Sequence, residues 1–295
     1  HCVTRRQRQM CIRDRPEEDV QRLEAGYSLP RQQFDHLLFN QVQQLVRDAG
    51  GAVLQGGDVR EVLYDDGKGG VDPGKGSGSQ RHAKGVVVRV GGRNGTEFTY
   101  HAPNVVGAAG YRCPVAKSML EETYEEPMMD RDHYCAGYRE YWRGVKGCED
   151  NVGDIEIHFV DTVIPGYFWL FPVAEGVVNV GIGMVMSLLD KQSKKLKALQ
   201  AEVIAEHPLF KDRFANASMI AGSGKGWQLP FGSPRKKAHR QPRRSASNGI
   251  YLVGDAASLV DPFSGEGVGN ALVSGEMAAH HIMQGKSPEA YQEAL

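Results

Sequence analysis

Residues 249–272, Gly-Ile-Tyr-Leu-Val-Gly-Asp-Ala-Ala-Ser-Leu-Val-Asp-Pro-Phe-Ser-Gly-Glu-Gly-Val-Gly-Asn-Ala-Leu, constrain this chain more than any other stretch. An apolar strand delivers Gly254 and Asp255 at its C-terminal tip, where open α/β sheets place their ligands. Beyond it Gly265, Gly267 and Gly269 leave backbone amides uncovered just before a helical run from Gly267 to Met283. Leu272, Ala278, Ala279 and Ile282 are among the apolar positions of that run. Amides at a helix start lack intrahelical acceptors, and the helix dipole adds positive potential, so the turn suits an anionic oxygen. A carboxylate at Asp255 suits hydroxyl donors. The competing reading is a strand–loop–helix connection whose glycines serve packing alone.

A length of 295 residues with 41% apolar and 24% charged residues is that of a chain able to bury a sizeable core, in one large or two moderate domains. A formal charge of −1 argues against nucleic-acid binding. No apolar run approaches the roughly 18 residues that span a bilayer, which leaves a peripheral membrane contact as the one lipid-surface option. Cys2, Cys11, Cys113, Cys135 and Cys148 have no C-x-x-C spacing, so no metal site is expected and reduced thiols in a cytoplasmic setting are. Residues 1–15 carry five arginines and no initiating Met, and are expected to be a non-native leader.

Phe34, Leu37, Leu38, Val42, Leu45 and Val46 have helical spacing, closed by Gly50-Gly51. Residues 52–62 read as a strand interrupted at Gly56-Gly57, and the glycine-rich stretch 65–79 as a surface loop. Val86, Val88 and Val90, a two-residue Asn94-Gly95 turn, then Phe98 and Tyr100 read as a hairpin. Residues 104–110 read as a short buried strand entering a glycine turn. From about 115 to 235, alternating aromatic-rich stretches predict an antiparallel sheet with one polar helix from Leu188 to His207. Tyr167, Trp169 and Phe171 alternate onto one strand face, either as a pocket wall or as sheet core. Residues 234–244 form a basic stretch, read as a solvated connection.

The segment 249–272 resembles the second FAD-binding motif of the para-hydroxybenzoate-hydroxylase-like flavoproteins, in the wording of the geranylgeranyl reductase family. The run Tyr167-Phe168-Trp169-Leu170-Phe171-Pro172, with Gly181-Ile182-Gly183 after it, is similar to that family's substrate-domain motif, although Val173 stands where the family often has Lys. Arg31 with Phe34-Asp35 is similar to the start of the family's early helix. The resemblance covers roughly residues 25–285. It implies an α/β fold: a Rossmann-like FAD domain in two pieces, residues 16–114 and 245–295, with an antiparallel substrate domain, residues 115–244, inserted.

The same resemblance implies FAD, held by Arg31 at the pyrophosphate, Val59 at the adenine, Asp255 at the ribityl chain, and Gly254, Pro262, Gly265, Glu266, Gly267 and Val268 along the isoalloxazine and pyrophosphate. Tyr167, Trp169, Phe171, Pro172, Gly181 and Gly183 are the implied substrate wall. The implied reaction is reduction of carbon–carbon double bonds in an isoprenoid chain, with NAD(P)H or ferredoxin as electron donor. Tyr167 and Cys113 are the candidates for proton donation. Ala109 replaces the acid of the family's A-D-G turn, which would remove one pyrophosphate contact. No G-x-G-x-x-G turn precedes Arg31, so the expectation is that the ADP-holding unit lies upstream and that residues 1–295 alone bind FAD poorly and are inactive. Two alternatives stand beside this reading: a flavin monooxygenase or halogenase on the same scaffold, and a non-catalytic flavoprotein relative acting as a binding module.

Overall fold

The computed structural model describes residues 30–66, 68, 70–73, 81–149, 155–174, 176–233 and 243–295. Its elements run α1 (Arg31–Asp48), β1 (Gly57–Asp65), β2 (Val71–Pro73), β3 (Ala83–Val90), β4 (Thr96–His101), β5 (Val105–Gly107) and α2 (Pro114–Lys117). They continue with β6 (Tyr134–Arg143), β7 (Glu156–His158), β8 (Tyr167–Ala174), β9 (Val177–Val185), α3 (Met186–Gln192) and α4 (Leu196–Glu206). The last are β10 (Ser218–Met219), β11 (Lys225–Pro230), β12 (Ala246–Ser247), β13 (Ile250–Leu252), α5 (Val268–Met283) and α6 (Pro288–Ala294). Contacts divide the chain into two compact units: His1–Val53 with Ala136–Trp227, and Leu54–Cys135 with Gln228–Leu295. The leader 1–15, Cys2, Cys11, loop residues 74–80 and the basic residues 234–242 lie outside the described residues.

In the first unit the sheet order is β10-β6-β9-β8-β7, with β11 also paired to β6. Strands β8 and β9 run antiparallel, with Trp169 opposite Gly181 and Tyr167 opposite Gly183. Phe168, Leu170, Val178, Val180, Ile182 and Met184 pack in a core with Leu199 and Val203 of α4. The expected single helix over 188–207 is in fact two, because Ser193 adopts a left-handed conformation (φ 53°) that ends α3. Nor is the second helix polar on its inner face. Leu196, Leu199, Gln200, Val203 and Ile204 are buried at helical spacing, and this stripe sets α4 onto the sheet. Gln200 Nε2 donates to Glu140 Oε2 of β6 (3.0 Å), a buried polar tie across that packing.

The second unit holds an antiparallel sheet ordered β2-β1-β3-β4 and a smaller one ordered β12-β13-β5. The strand expected from residue 52 starts only at Gly57, the second glycine of the pair. Part of the expected surface loop is strand: β2 pairs antiparallel with Leu63–Asp65. The hairpin of β3 and β4 is present, but Val90 pairs with Thr96, so five residues and a 3₁₀ turn at Gly92–Asn94 replace the two-residue turn. β13 pairs with β5 in parallel, Ile250 opposite Val105 and Leu252 opposite Gly107. Parallel pairing of strands so far apart in sequence, with helices beside them, is the α/β element of the chain. Around it Val62, Tyr64, Cys113, Val115, Met119, Leu120 and Leu252 form one core, and Tyr251, Val253, Ala278 and Tyr291 another. The described residues thus make a mixed α/β structure with antiparallel sheets.

Candidate functional site

β13 ends in a 3₁₀ turn, Gly254–Ala257, followed by Ser258 in a left-handed conformation (φ 58°). Gly254 is required there on two counts. Its φ is +55°, and a Cβ on it would stand 2.9 Å from the Ala271 Cβ of α5. The close approach lets the Gly254 amide donate to Ser274 Oγ (3.0 Å), which locks the strand tip to the helix. Asp255 is half-buried beside the glycine loop: a Cβ on Gly267 would lie 3.3 Å from Asp255 Oδ1.

The loop from Asp261 to Gly267 is held by its own hydrogen bonds. The Asp261 amide donates to Glu266 O (2.8 Å), and Gly265, with φ 72°, donates to Asp261 O (2.9 Å). Asp261 Oδ1 accepts from the amides of Phe263 (3.1 Å) and Ser264 (2.6 Å). Burial raises the Asp261 carboxyl, but the Ser264 hydroxyl, which donates to Oδ1 (2.7 Å), together with these amides outweighs it and holds the group below its ordinary value. Pro262, Glu266 and Val268 are exposed, and the amides of Gly267 and Val268 donate to no acceptor among the described residues. The amide of Gly269 differs from the expectation of bare donors: Glu266 Oε1 accepts from it (2.6 Å), so a carboxylate already caps the start of α5. Beside the loop, Val260, Asp261, Pro262, Asn270, Val273 and Met277 line an open pocket of about 290 Å³.

Arg31 begins α1 in the first unit, exposed, with its Nε donating to Asp35 Oδ1 (3.0 Å). Val59 lies on β1 opposite Val88. Cys113 is 1% exposed within the core of the second unit, which leaves Tyr167 as the candidate with solvent access. On β8 the aromatic row is as the alternation predicts. Tyr167 and Trp169 are 5.8 Å apart edge-on, and Trp169 stacks with Phe171 at 6.0 Å. All three are half-buried, whereas Pro172, Gly181 and Gly183 are buried. Trp169 Nε1 donates to Asn179 Oδ1 (3.1 Å), and its ring lies over Gly181, where any Cβ would meet Cζ2 at 2.1 Å.

Two arginines that sequence reasoning passed over organise each unit. Arg243, read as part of a solvated basic stretch, is only 7% exposed. Its guanidinium donates to Ser258 Oγ (2.8 Å), Tyr134 Oη (3.2 Å), Pro127 O (3.2 Å) and Met128 O, tying the turn after β13 to a distant loop. In the first unit Arg213 makes a double bond-pair with Glu156, Nη1 to Oε2 and Nη2 to Oε1, both at 2.7 Å. His158 Nε2 lies 2.8 Å from Glu156 Oε2, and Arg213 Nη2 lies 3.3 Å from the buried Cys148 Sγ. Burial pushes the Glu156 carboxyl up, but Arg213 and His158 overcome it and bring it to about 2. Burial raises the Cys148 thiol to about 11, against the pull of Arg213, so it stays protonated at neutral pH. Nothing in the local sequence around residues 148, 156 and 213 signals this cluster.

Residues 134–224 match the family model described as the geranylgeranyl reductase catalytic domain. A digeranylgeranylglycerophospholipid reductase of Thermoplasma volcanium is 35% identical over 122 residues, 41% of this chain and 27% of that protein. One from Methanococcoides burtonii is 30% identical over 198 residues, 64% of this chain and 42% of the relative. The chain therefore spans less than half the length of these curated relatives. Among solved structures, a geranylgeranyl bacteriochlorophyll reductase-like protein of Thermoplasma acidophilum is similar over 86% of this chain and 56% of its own, with TM-score 0.63 and 22% identity. A myxobacterial chondrochloren halogenase described as FAD-dependent is similar over 91% of this chain and 55% of its own, with TM-score 0.65 and 23% identity. At such identities these likenesses establish the fold alone. Residues 134–224 are thus similar to the geranylgeranyl reductase catalytic domain, and the chain is similar over part of its length to reductases of geranylgeranyl lipids.

Proposed function

We propose that the chain is the flavin- and substrate-binding part of an FAD-dependent reductase of isoprenoid carbon–carbon double bonds. In this reading residues 16–114 and 245–295 contribute to an FAD domain and residues 115–244 to a substrate domain. The observation that carries it is the half-buried Tyr167–Trp169–Phe171 row, set within the stretch that matches the geranylgeranyl reductase model. The relatives' names supply the substrate class, a lipid bearing geranylgeranyl chains.

FAD supplies the hydride when it is bound, and the protein supplies binding, orientation and dryness. The second unit fits such a group: Asp255 would accept from ribityl hydroxyls, and the Gly267 and Val268 amides, which donate to no acceptor among the described residues, would meet an anionic oxygen. Pro262 and Gly265 would run alongside. The Glu266 carboxylate at the Gly269 amide narrows that cradle to two donors. In the first unit the aromatic row would hold an apolar chain and exclude water from it. The Tyr167 hydroxyl is the candidate to hand a proton to the second alkene carbon, with electrons drawn from NAD(P)H or ferredoxin.

The test uses the full-length protein under anaerobic conditions with reduced flavin and a geranylgeranyl lipid. Products heavier by a hydrogen pair per double bond support the reading. Oxygen consumption with a hydroxylated or halogenated product would instead assign the monooxygenase or halogenase chemistry found on this fold.

A further inference from the structure

The face of the antiparallel sheet opposite α4 carries a cation as well as the aromatic row. Ala136, Tyr138 and Trp142 of β6 pack toward the core under α4, and Glu140 accepts from Gln200 there. Alternation sends Arg139 and Tyr141 to the opposite face. Phe168 and Leu170 of β8 lie in the same core, so Tyr167, Trp169 and Phe171 emerge on the face that Arg139 occupies. Only β9 separates β6 from β8, which puts the two strands about 10 Å apart, within reach of one elongated ligand.

Arg139 is held in place there. Its Cζ sits 4.4 Å from the Tyr141 ring centroid, and Nη1 donates to Ser223 O (2.6 Å). Ser223 is itself fixed, because the Tyr141 amide donates to Ser223 Oγ (2.9 Å) and the Ile220 amide to Tyr141 O (2.8 Å). Arg89, Arg213 and Arg244 each pair with a carboxylate. Arg139 does not: its Nε and Nη2 edge donates to no acceptor among the described residues. That edge is the planar two-donor fork that matches phosphate, and the tyrosine beneath it lowers the cost of holding the guanidinium still.

We propose that Arg139, seated on Tyr141, binds the phosphate end of the isoprenoid lipid whose chain lies along Tyr167, Trp169 and Phe171. The assignment rests on the isoprenoid reading of the same face and adds to it a charged headgroup and the residue that selects it. A neutral prenyl alcohol would then be the poorer substrate.

The experiment compares geranylgeranyl phosphate with geranylgeraniol, the same chain without the anion, on the full-length holoenzyme and its Arg139→Gln and Arg139→Lys variants. Loss of a charge-assisted hydrogen-bonded pair should lower the phosphate-to-alcohol ratio of kcat/KM on the order of 10- to 100-fold in Arg139→Gln. Arg139→Lys, which keeps the charge without the fork, should fall between. An unchanged ratio, or equal losses on both substrates, overturns the assignment. Tryptophan-fluorescence titrations with the same two ligands read affinity without turnover. If the wild type reduces neither compound, the reductase reading fails, and Arg139 is then judged by whether its Gln variant loses affinity for geranylgeranyl phosphate alone. Inorganic phosphate binding as tightly as geranylgeranyl phosphate would also overturn the proposal, since the site would then be for a free anion.

Discussion

Replacing Glu156 with Gln is the sharpest test of what holds the sheet unit together. The carboxylate is 13% exposed and is bound by both Nη atoms of Arg213, which is 21% exposed, and by His158. Its folded pKa, about 2 against an ordinary 4.5, makes the folded state favour the charged form by roughly 3 kcal/mol at neutral pH. Breaking a buried pair by removing one partner typically costs about 3–5 kcal/mol, which agrees with the roughly 3 kcal/mol of the titration argument. A depressed carboxylate stabilises above its unfolded pKa, and that contribution is lost as pH falls from about 4.5 toward about 2. Glu156→Gln should therefore be about 3 kcal/mol less stable at pH 7 and no different from wild type near pH 2. The assay is urea unfolding followed by tryptophan emission, which reports this unit alone because Trp142, Trp169 and Trp227 are the chain's only tryptophans and all lie within it. Equal midpoints at pH 7, or a difference that persists undiminished to pH 2, would refute the reasoning.

Two further substitutions probe the packing within each unit. Gly181→Ala places a methyl where Trp169 Cζ2 lies 2.1 Å away, so the indole must swing off and release Asn179. We expect a loss of about 1–3 kcal/mol with a shifted tryptophan emission, and unchanged emission and stability would show that the ring does not rest there. Tyr291→Phe removes the buried hydrogen bond from Tyr291 Oη to Leu252 O (2.8 Å), which ties α6 to β13. Leaving that carbonyl unpaired should cost about 1–3 kcal/mol in thermal unfolding, and an unaltered transition would argue that water replaces the hydroxyl.

Much of the architecture was legible because it follows from local rules. Period-two alternation placed Tyr167, Trp169 and Phe171 on one face, and the apolar run into Gly254-Asp255 located β13 and its turn. The helix from Gly267 is found at Val268–Met283, where glycines precede it and no proline interrupts it. The departures have a different origin. Ser193 in a left-handed conformation split one expected helix, and the Val90–Thr96 pairing lengthened an expected tight turn. Both depend on how the chain is closed by its neighbours, which residue identity at those positions does not specify.

What the amino-acid sequence determined by itself is the set of groups offered to a ligand: a carboxylate at a strand tip, glycines before a helix, aromatics on alternate positions. Only the tertiary structure decided which of them remain available. It sets Glu266 on the amide of Gly269, buries Cys113 in a core, and turns Arg243 from a surface charge into a tie between loops. It also brings Arg213 to Glu156 across 57 residues while leaving the fork of Arg139 without a carboxylate among the described residues. The physical reason is range. Spacing along the chain fixes backbone geometry within a few residues, whereas hydrogen-bond partners and burial depend on segments far apart in sequence that meet only when the chain folds.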